Sequence, residues 1–94
     1  MTSKNIIQIT YCTECKWLAR AAWYMQEILS TFAAELDGVK VCPSDSAGQF
    51  TIELNDEILM DRKVDGFLEA KHLKRRIRDQ IAPTRTLGHS DRTH

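Results

Sequence analysis

Asn5-Ile6-Ile7-Gln8-Ile9-Thr10-Tyr11-Cys12-Thr13-Glu14-Cys15-Lys16-Trp17-Leu18 changes its periodicity partway along, and that change decides the fold. Asn5 to Tyr11 is dense in β-branched and aromatic residues, with Ile6, Ile7, Ile9 and Tyr11 forming the short apolar run of a buried strand. From about Thr13 the apolar spacing becomes three and four, through Leu18, Ala21, Ala22, Met25, Ile28, Leu29, Phe32, Ala33 and Leu36. That spacing predicts a long amphipathic helix. Asp37-Gly38 marks its end, since glycine accepts the left-handed conformation that commonly terminates a helix. Where strand gives way to helix stand two cysteines two residues apart, Cys12 and Cys15.

Further along, Val39 to Cys42 reads as a second strand stopped by Pro43, which cannot donate to a ladder. A polar connector, Ser44 to Gly48, leads to Phe50, Ile52 and Leu54 alternating with Gln49, Thr51 and Glu53, the period of a strand with one covered face. Asn55-Asp56 fits a tight hairpin turn because both residue types tolerate positive φ, and Glu57 to Arg62 returns as a fourth strand. Past Asp65-Gly66, helical spacing resumes with Phe67, Ala70, Leu73, Ile77 and Ile81, and Asp65 is the expected cap. Pro83 to His94 is polar and aperiodic, so the chain divides into one domain over residues 1–82 and a flexible tail over 83–94.

The order β-α-β-β-β-α implies a right-handed parallel crossover followed by an antiparallel hairpin. The expected fold is α/β: a mixed four-stranded sheet packed by helices. In it four segments meet at one rim: Cys12 to Cys15, Cys42 to Gly48, the start of the third strand, and Lys63 to Phe67. Ligands of open α/β sheets favour strand carboxyl ends.

Two cysteines at i and i+3 around a first helical turn can close a small disulfide ring. The helix amino terminus favours thiolate, Lys16 and Arg20 add to that, and Glu14 opposes it. A thiolate can then attack a disulfide and be resolved by its neighbour. The pair is also half of a zinc site, but zinc needs two further ligands from Cys42, His72, His89 and His94, and only Cys42 is expected at the rim. The blander alternative is two cysteines that merely pack. Cys42 is an extra thiol near the same edge or a packing residue. Trp17 and Trp23 form either a docking surface beside the thiols or, the favoured reading and the more firmly so for Trp23, the core or flank of the first helix. Lys71, Lys74, Arg75, Arg76 and Arg78 read as a solvated basic face.

The 94 residues carry 13 basic and 13 acidic side chains, so no global field favours nucleic acid or an anionic membrane. No apolar run approaches the roughly 20 residues of a membrane span, and three cysteines do not make a secreted disulfide scaffold. The expectation is a cytoplasmic protein without nucleic-acid or membrane partners, its oligomeric state open.

Tyr11-Cys12-Thr13-Glu14-Cys15, Gly48-Gln49-Phe50-Thr51-Ile52 and Asp65-Gly66-Phe67-Leu68-Glu69-Ala70-Lys71 with Leu73-Lys74 together resemble the selenoprotein W-related (Rdx-type) redox family, in its cysteine-containing bacterial form. The resemblance implies a thioredoxin-like fold and a thiol-disulfide redox protein with Cys12 and Cys15 as the working residues. It implies no bound cofactor or metal, with glutathione or thioredoxin as electron donor and a thiol or disulfide protein, or glutathione, as partner. The selenium position of selenium-containing members maps onto Cys15, whereas thioredoxins attack with the first cysteine, here Cys12, so attacker and resolver stay open. Leu68 stands where many bacterial relatives have proline, and no proline precedes the third strand where thioredoxins place a cis-proline. A non-enzymatic interaction module that binds through the rim, with the thiols as a switch, is the alternative.

Overall fold

The computed structural model describes residues 4–87. β1 (Ile6–Cys12) lies inside the sheet, and its Ile7 and Ile9 are fully buried. β2 (Gly38–Ser44) runs parallel on one side of it and β3 (Phe50–Leu54) antiparallel on the other, with β4 (Glu57–Asp61) antiparallel outside β3. The order β2-β1-β3-β4 is the mixed, open four-stranded sheet of a thioredoxin-like fold. α1 (Leu18–Phe32) makes the crossover, and β4 is followed by α2 (Arg62–Asp65), a single turn, and α3 (Ala70–Ile81). The turn at Asn55-Asp56 takes positive φ at both residues, 50° and 72°, as the hairpin requires.

One face of the sheet carries the core. Ile7, Ile9, Phe50, Ile52 and Met60 from the strands meet Ala21, Tyr24, Ile28 and Phe32 of α1 and Leu73 and Ile77 of α3 in one cluster. A register shift between Ile52 and Glu53 pairs Ile52 with Met60 and Glu53 with Ile58, so Leu59 is an extra residue that also turns inward. On the other face Lys40, Gln8, Glu53 and Ile58 stand side by side across the four strands.

Several boundaries differ from the expected ones for identifiable reasons. α1 starts at Leu18 rather than Thr13, because Thr13–Lys16 forms a turn in which Lys16 has φ 59° and its N–H donates to Thr13 O at 3.1 Å. A left-handed residue cannot continue a right-handed helix. Tyr24, which the apolar spacing passed over, is 1% exposed because its hydroxyl donates to Leu68 O at 2.6 Å, satisfying the one polar atom. Burial pushes the Tyr24 phenol up from its ordinary value, with the Arg20 charge partly offsetting.

At its other end α1 stops at Phe32, whose carbonyl accepts from both Glu35 and Leu36 N–H. Gly38 has no positive φ and opens β2 instead. The entry to the sheet is fixed by Asp37, which accepts from Asn5 N at 2.7 Å and donates its own N–H to Asn5 O at 2.8 Å. β2 continues through Pro43 to Ser44, because it is an edge strand and an edge tolerates a missing donor on its outward side.

Asp65 does not cap the last helix. Its carboxylate closes α2 by accepting from Asp61 N at 3.0 Å, and Arg76 of α3 lies 3.4 Å away while donating to Leu59 O at 2.6 Å. Gly66, at φ 70°, then lets the chain leave α2, and α3 begins only at Ala70. The Asp61 backbone N–H, followed by the Arg76 guanidinium, holds the Asp65 carboxyl below its ordinary value. A lowered folded value means stability that is present above the unfolded value and is lost as pH falls through the folded one. Asp65→Asn is therefore expected to lower stability at neutral pH by about 1 kcal/mol, the size of one charge-assisted hydrogen bond partly kept by the amide. Urea midpoints of wild type and variant should converge as the solution is acidified below the folded value.

Within the expected tail, Arg85 pairs with Glu35 at 2.8 Å, its guanidinium lies 5.3 Å from the Phe32 ring centre, and Leu87 packs against the core cluster. The remainder of that segment, residues 88–94, lies outside the described residues.

Candidate active site

Cys12 is the last residue of β1 and Cys15 lies in the turn that follows, and the two are joined by a disulfide with 5.3 Å between their Cα atoms. The turn folds back far enough for Cys15 N–H to donate to Cys12 Sγ at 3.2 Å. Cys12 is only 2% exposed, whereas Cys15 is half-buried and reaches solvent. The pair therefore precedes the first turn of α1 rather than lying in it. The donor that serves sulfur comes from the turn itself.

The connector between β2 and β3 holds Cys12 from the other side. Cys12 N–H donates to Gln49 O at 2.8 Å, and Gln49 N–H donates to Ser46 O at 3.2 Å. The Ser44 hydroxyl donates to the Gln49 side-chain oxygen and accepts from Ser46 N–H, and Ser44 is the register partner of Cys12. Gly48 takes φ 76°, and a Cβ there would come within 3.3 Å of the Arg62 guanidinium. The dihedral favours glycine, and a side chain there would also press on the guanidinium. Arg62 Nε in turn donates to Gly48 O at 3.0 Å, tying α2 to the connector.

An aromatic group closes the rim. Trp17 meets Phe50 and Phe67 edge to face, with centroids 6.0 and 5.2 Å apart, and Phe50 meets Phe67 at 5.1 Å. The Arg62 guanidinium lies 5.0 Å from the Trp17 ring centre and that of Arg20 lies 4.1 Å from Phe67. The four expected segments are thus linked by named contacts. Trp23, in contrast, is 44% exposed and meets Tyr24 edge to face with centroids 5.1 Å apart, so it flanks the core, and it is Trp17 that joins the aromatic group at the rim.

Cys42 is a half-buried free thiol opposite Thr10, two pairs short of the strand end that Ser44 and Cys12 occupy. Among the described residues no group of three or more His, Cys, Asp or Glu is placed to hold a metal ion. His72 lies on α3 beside Glu69, and His89 and His94 are outside the described residues. The basic face of α3 is engaged rather than simply solvated: Lys74 pairs with Glu27 at 3.0 Å and Arg76 with Asp65. No helix of the described residues is long and apolar enough to cross a membrane. Sequence reasoning missed the roles of Gln49, Arg62 and Phe67. Only Gly48 before Gln49-Phe50 hinted at the close approach.

Comparison with known proteins comes down on the same side. The Rdx family model matches residues 6–79. A crystal structure of a protein from Bordetella parapertussis, 51% identical, superposes with a TM-score of 0.80 over 84% of this chain and 100% of that one. A selenoprotein W-related protein from Vibrio cholerae is 44% identical, with a TM-score of 0.78 over 83% of this chain and 98% of that one. Among curated proteins none matches at a significant level.

Proposed function

The chain belongs to the Rdx family, and on that premise we propose that it is a cytoplasmic thiol-disulfide redox protein that cycles Cys12 and Cys15 between dithiol and disulfide. The observation that carries this reading is the unequal burial of two bonded sulfurs, with Cys12 closed off at 2% exposure and Cys15 reaching solvent.

In the reduced protein the Cys15 thiolate attacks one sulfur of a partner's disulfide. A mixed disulfide forms, and the partner's other sulfur leaves as thiolate and takes a proton. Cys12 then attacks Cys15 Sγ, closing the Cys12–Cys15 bond and expelling the partner's second sulfur. The partner has gained two electrons and this chain has lost them. In the return direction a donor thiolate attacks the more accessible Cys15 Sγ, and Cys12 leaves as a thiolate that the Cys15 N–H is placed to stabilise. A second donor thiol completes the reduction. Glutathione or a thioredoxin-type dithiol fits that donor role.

Equilibration in graded glutathione or dithiothreitol redox buffers, with free thiols alkylated and weighed, tests the reading. A single two-electron transition is expected, moving tenfold in ratio for about every 30 mV. Absence of the Cys12–Cys15 disulfide across physiological potentials would overturn it.

A further inference from the structure

The cations packed around α3 and those at the rim are engaged differently, while Lys4, Lys40 and Lys71 lie outside the rim and also make no ion pair with a described residue. Around α3, Lys74, Arg76 and Arg85 are paired with Glu27, Asp65 and Glu35. At the rim, Lys16, Arg20, Arg62 and Lys63 make no ion pair with any described residue. Arg20 and Arg62 stack instead on Phe67 and Trp17, and those two rings meet each other at 5.2 Å. The result is a continuous row of guanidinium, ring, ring and guanidinium.

That row runs beside the disulfide. Trp17 is two residues from Cys15, and Arg62 grips Gly48 O next to the residue that accepts the Cys12 N–H. Two large apolar side chains stand exposed at its margins: Leu18, adjacent to Trp17, at 54%, and Val64, on α2, at 81%. Of the rim's carboxylates, Asp65 is paired with Arg76, which leaves Asp61, whose side chain accepts from Lys63 N–H, and the exposed Glu14 and Asp45 as the opposing charges. Four unpaired cations against these three carboxylates leave the rim with one net positive charge although the whole chain is neutral.

We propose that this row is the docking surface for a protein substrate, received as a segment in which carboxylates flank an apolar side chain close to the reacting cysteine. The proposal rests on the redox reading of Cys12 and Cys15. Carboxylates answer the unpaired cations and steer approach, and the apolar side chain covers Leu18 and Val64, which otherwise remain in water. Glutathione supplies carboxylates but no apolar side chain, so it leaves those two residues uncovered.

The test uses the reduced full-length protein and synthetic peptides whose single cysteine is disulfide-bonded to a chromophoric aryl thiol, so that its release reports the attack. Three peptides differ only in their flanks: glutamates with leucine, lysines with leucine, and glutamates with serine. Glutathione disulfide-bonded to the same aryl thiol is the small comparator. At low ionic strength the glutamate-leucine peptide is expected to react about tenfold faster than the lysine-leucine one, an advantage that shrinks with added salt. It should also react about threefold faster than the glutamate-serine peptide, reflecting one covered apolar contact. The pair Arg20→Gln and Lys63→Gln should erase the charge preference, and the pair Leu18→Ser and Val64→Ser the apolar one. Lys40→Gln, which removes a charge on the opposite face of the sheet, should leave both in place. Equal rates for the acidic and basic peptides, the glutathione aryl disulfide as fast as the glutamate-leucine peptide, or an equal loss from Lys40→Gln would overturn the docking proposal alone. Failure to react with any disulfide, glutathione included, would overturn the redox reading and the docking proposal with it.

Discussion

Cys15→Ser is expected to slow reaction with a disulfide substrate by about a hundredfold or more, while Cys12→Ser permits the first attack and then stops at a mixed disulfide. The asymmetry follows from burial. Cys12 ends β1 beneath the connector and is 2% exposed, so a partner's sulfur cannot approach it in line. Cys15 sits in the open turn and can be approached. Removing Cys15 leaves a buried sulfur as sole nucleophile, whereas removing Cys12 leaves the accessible sulfur without its resolver. Mass spectrometry of each variant after exposure to oxidised glutathione distinguishes the two cases. The Cys12→Ser protein should carry one glutathionyl group, and the Cys15→Ser protein almost none over the same interval. The reverse pattern would mean that the turn opens enough to present Cys12 first, as thioredoxins do.

The elements that could be read from sequence are those whose geometry is local. Phe50, Ile52 and Leu54 declare themselves by alternation and Ile7 and Ile9 by a short apolar run, and all five are buried in the sheet. Asn55-Asp56 names its own turn, because a type of backbone that most residues avoid is tolerated by few side chains. The rim was legible for a different reason: once the element order is known, strand direction alone brings the ends of β1, β2 and β4 and the start of β3 to one edge.

What escaped depends on contacts between residues distant in sequence. The start of α1 is hidden because Lys16 adopts a left-handed φ without being glycine or asparagine, so no residue type announces the break. Tyr24 is in the core only because a loop 44 residues away offers a carbonyl to its hydroxyl. The basic run on α3 looked like a solvated face because its partners, Glu27 on α1 and Asp65 on α2, are placed there by tertiary packing. For the same reason the unpaired cations at the rim could not be told from the paired ones until the fold was built.

Phe50→Ala is expected to cost about 3–5 kcal/mol of stability, the usual result of emptying a fully buried aromatic site. Phe50 is 0% exposed and touches three rings, Trp17, Tyr24 and Phe67, with centroids 6.0, 5.7 and 5.1 Å away. The loss is a large share of the roughly 5–15 kcal/mol that holds a domain of this kind together. Its urea midpoint should fall sharply with little change in slope, read by far-ultraviolet circular dichroism. Ile58→Ala, on the opposite face at 57% exposure, should move the midpoint by no more than about 0.5 kcal/mol equivalent. The comparison also separates stability from function. Phe50 is the residue that joins the core to the rim, through Trp17 beside Cys15 and Phe67 beneath Arg20. In the cold, where the variant is still folded, Trp17 should fluoresce as a more solvated indole and the reaction of Cys15 with disulfides should already be altered. A Phe50→Ala protein that lost stability but kept the Trp17 signal and the wild-type rate would show that the aromatic group supports the fold without positioning the rim.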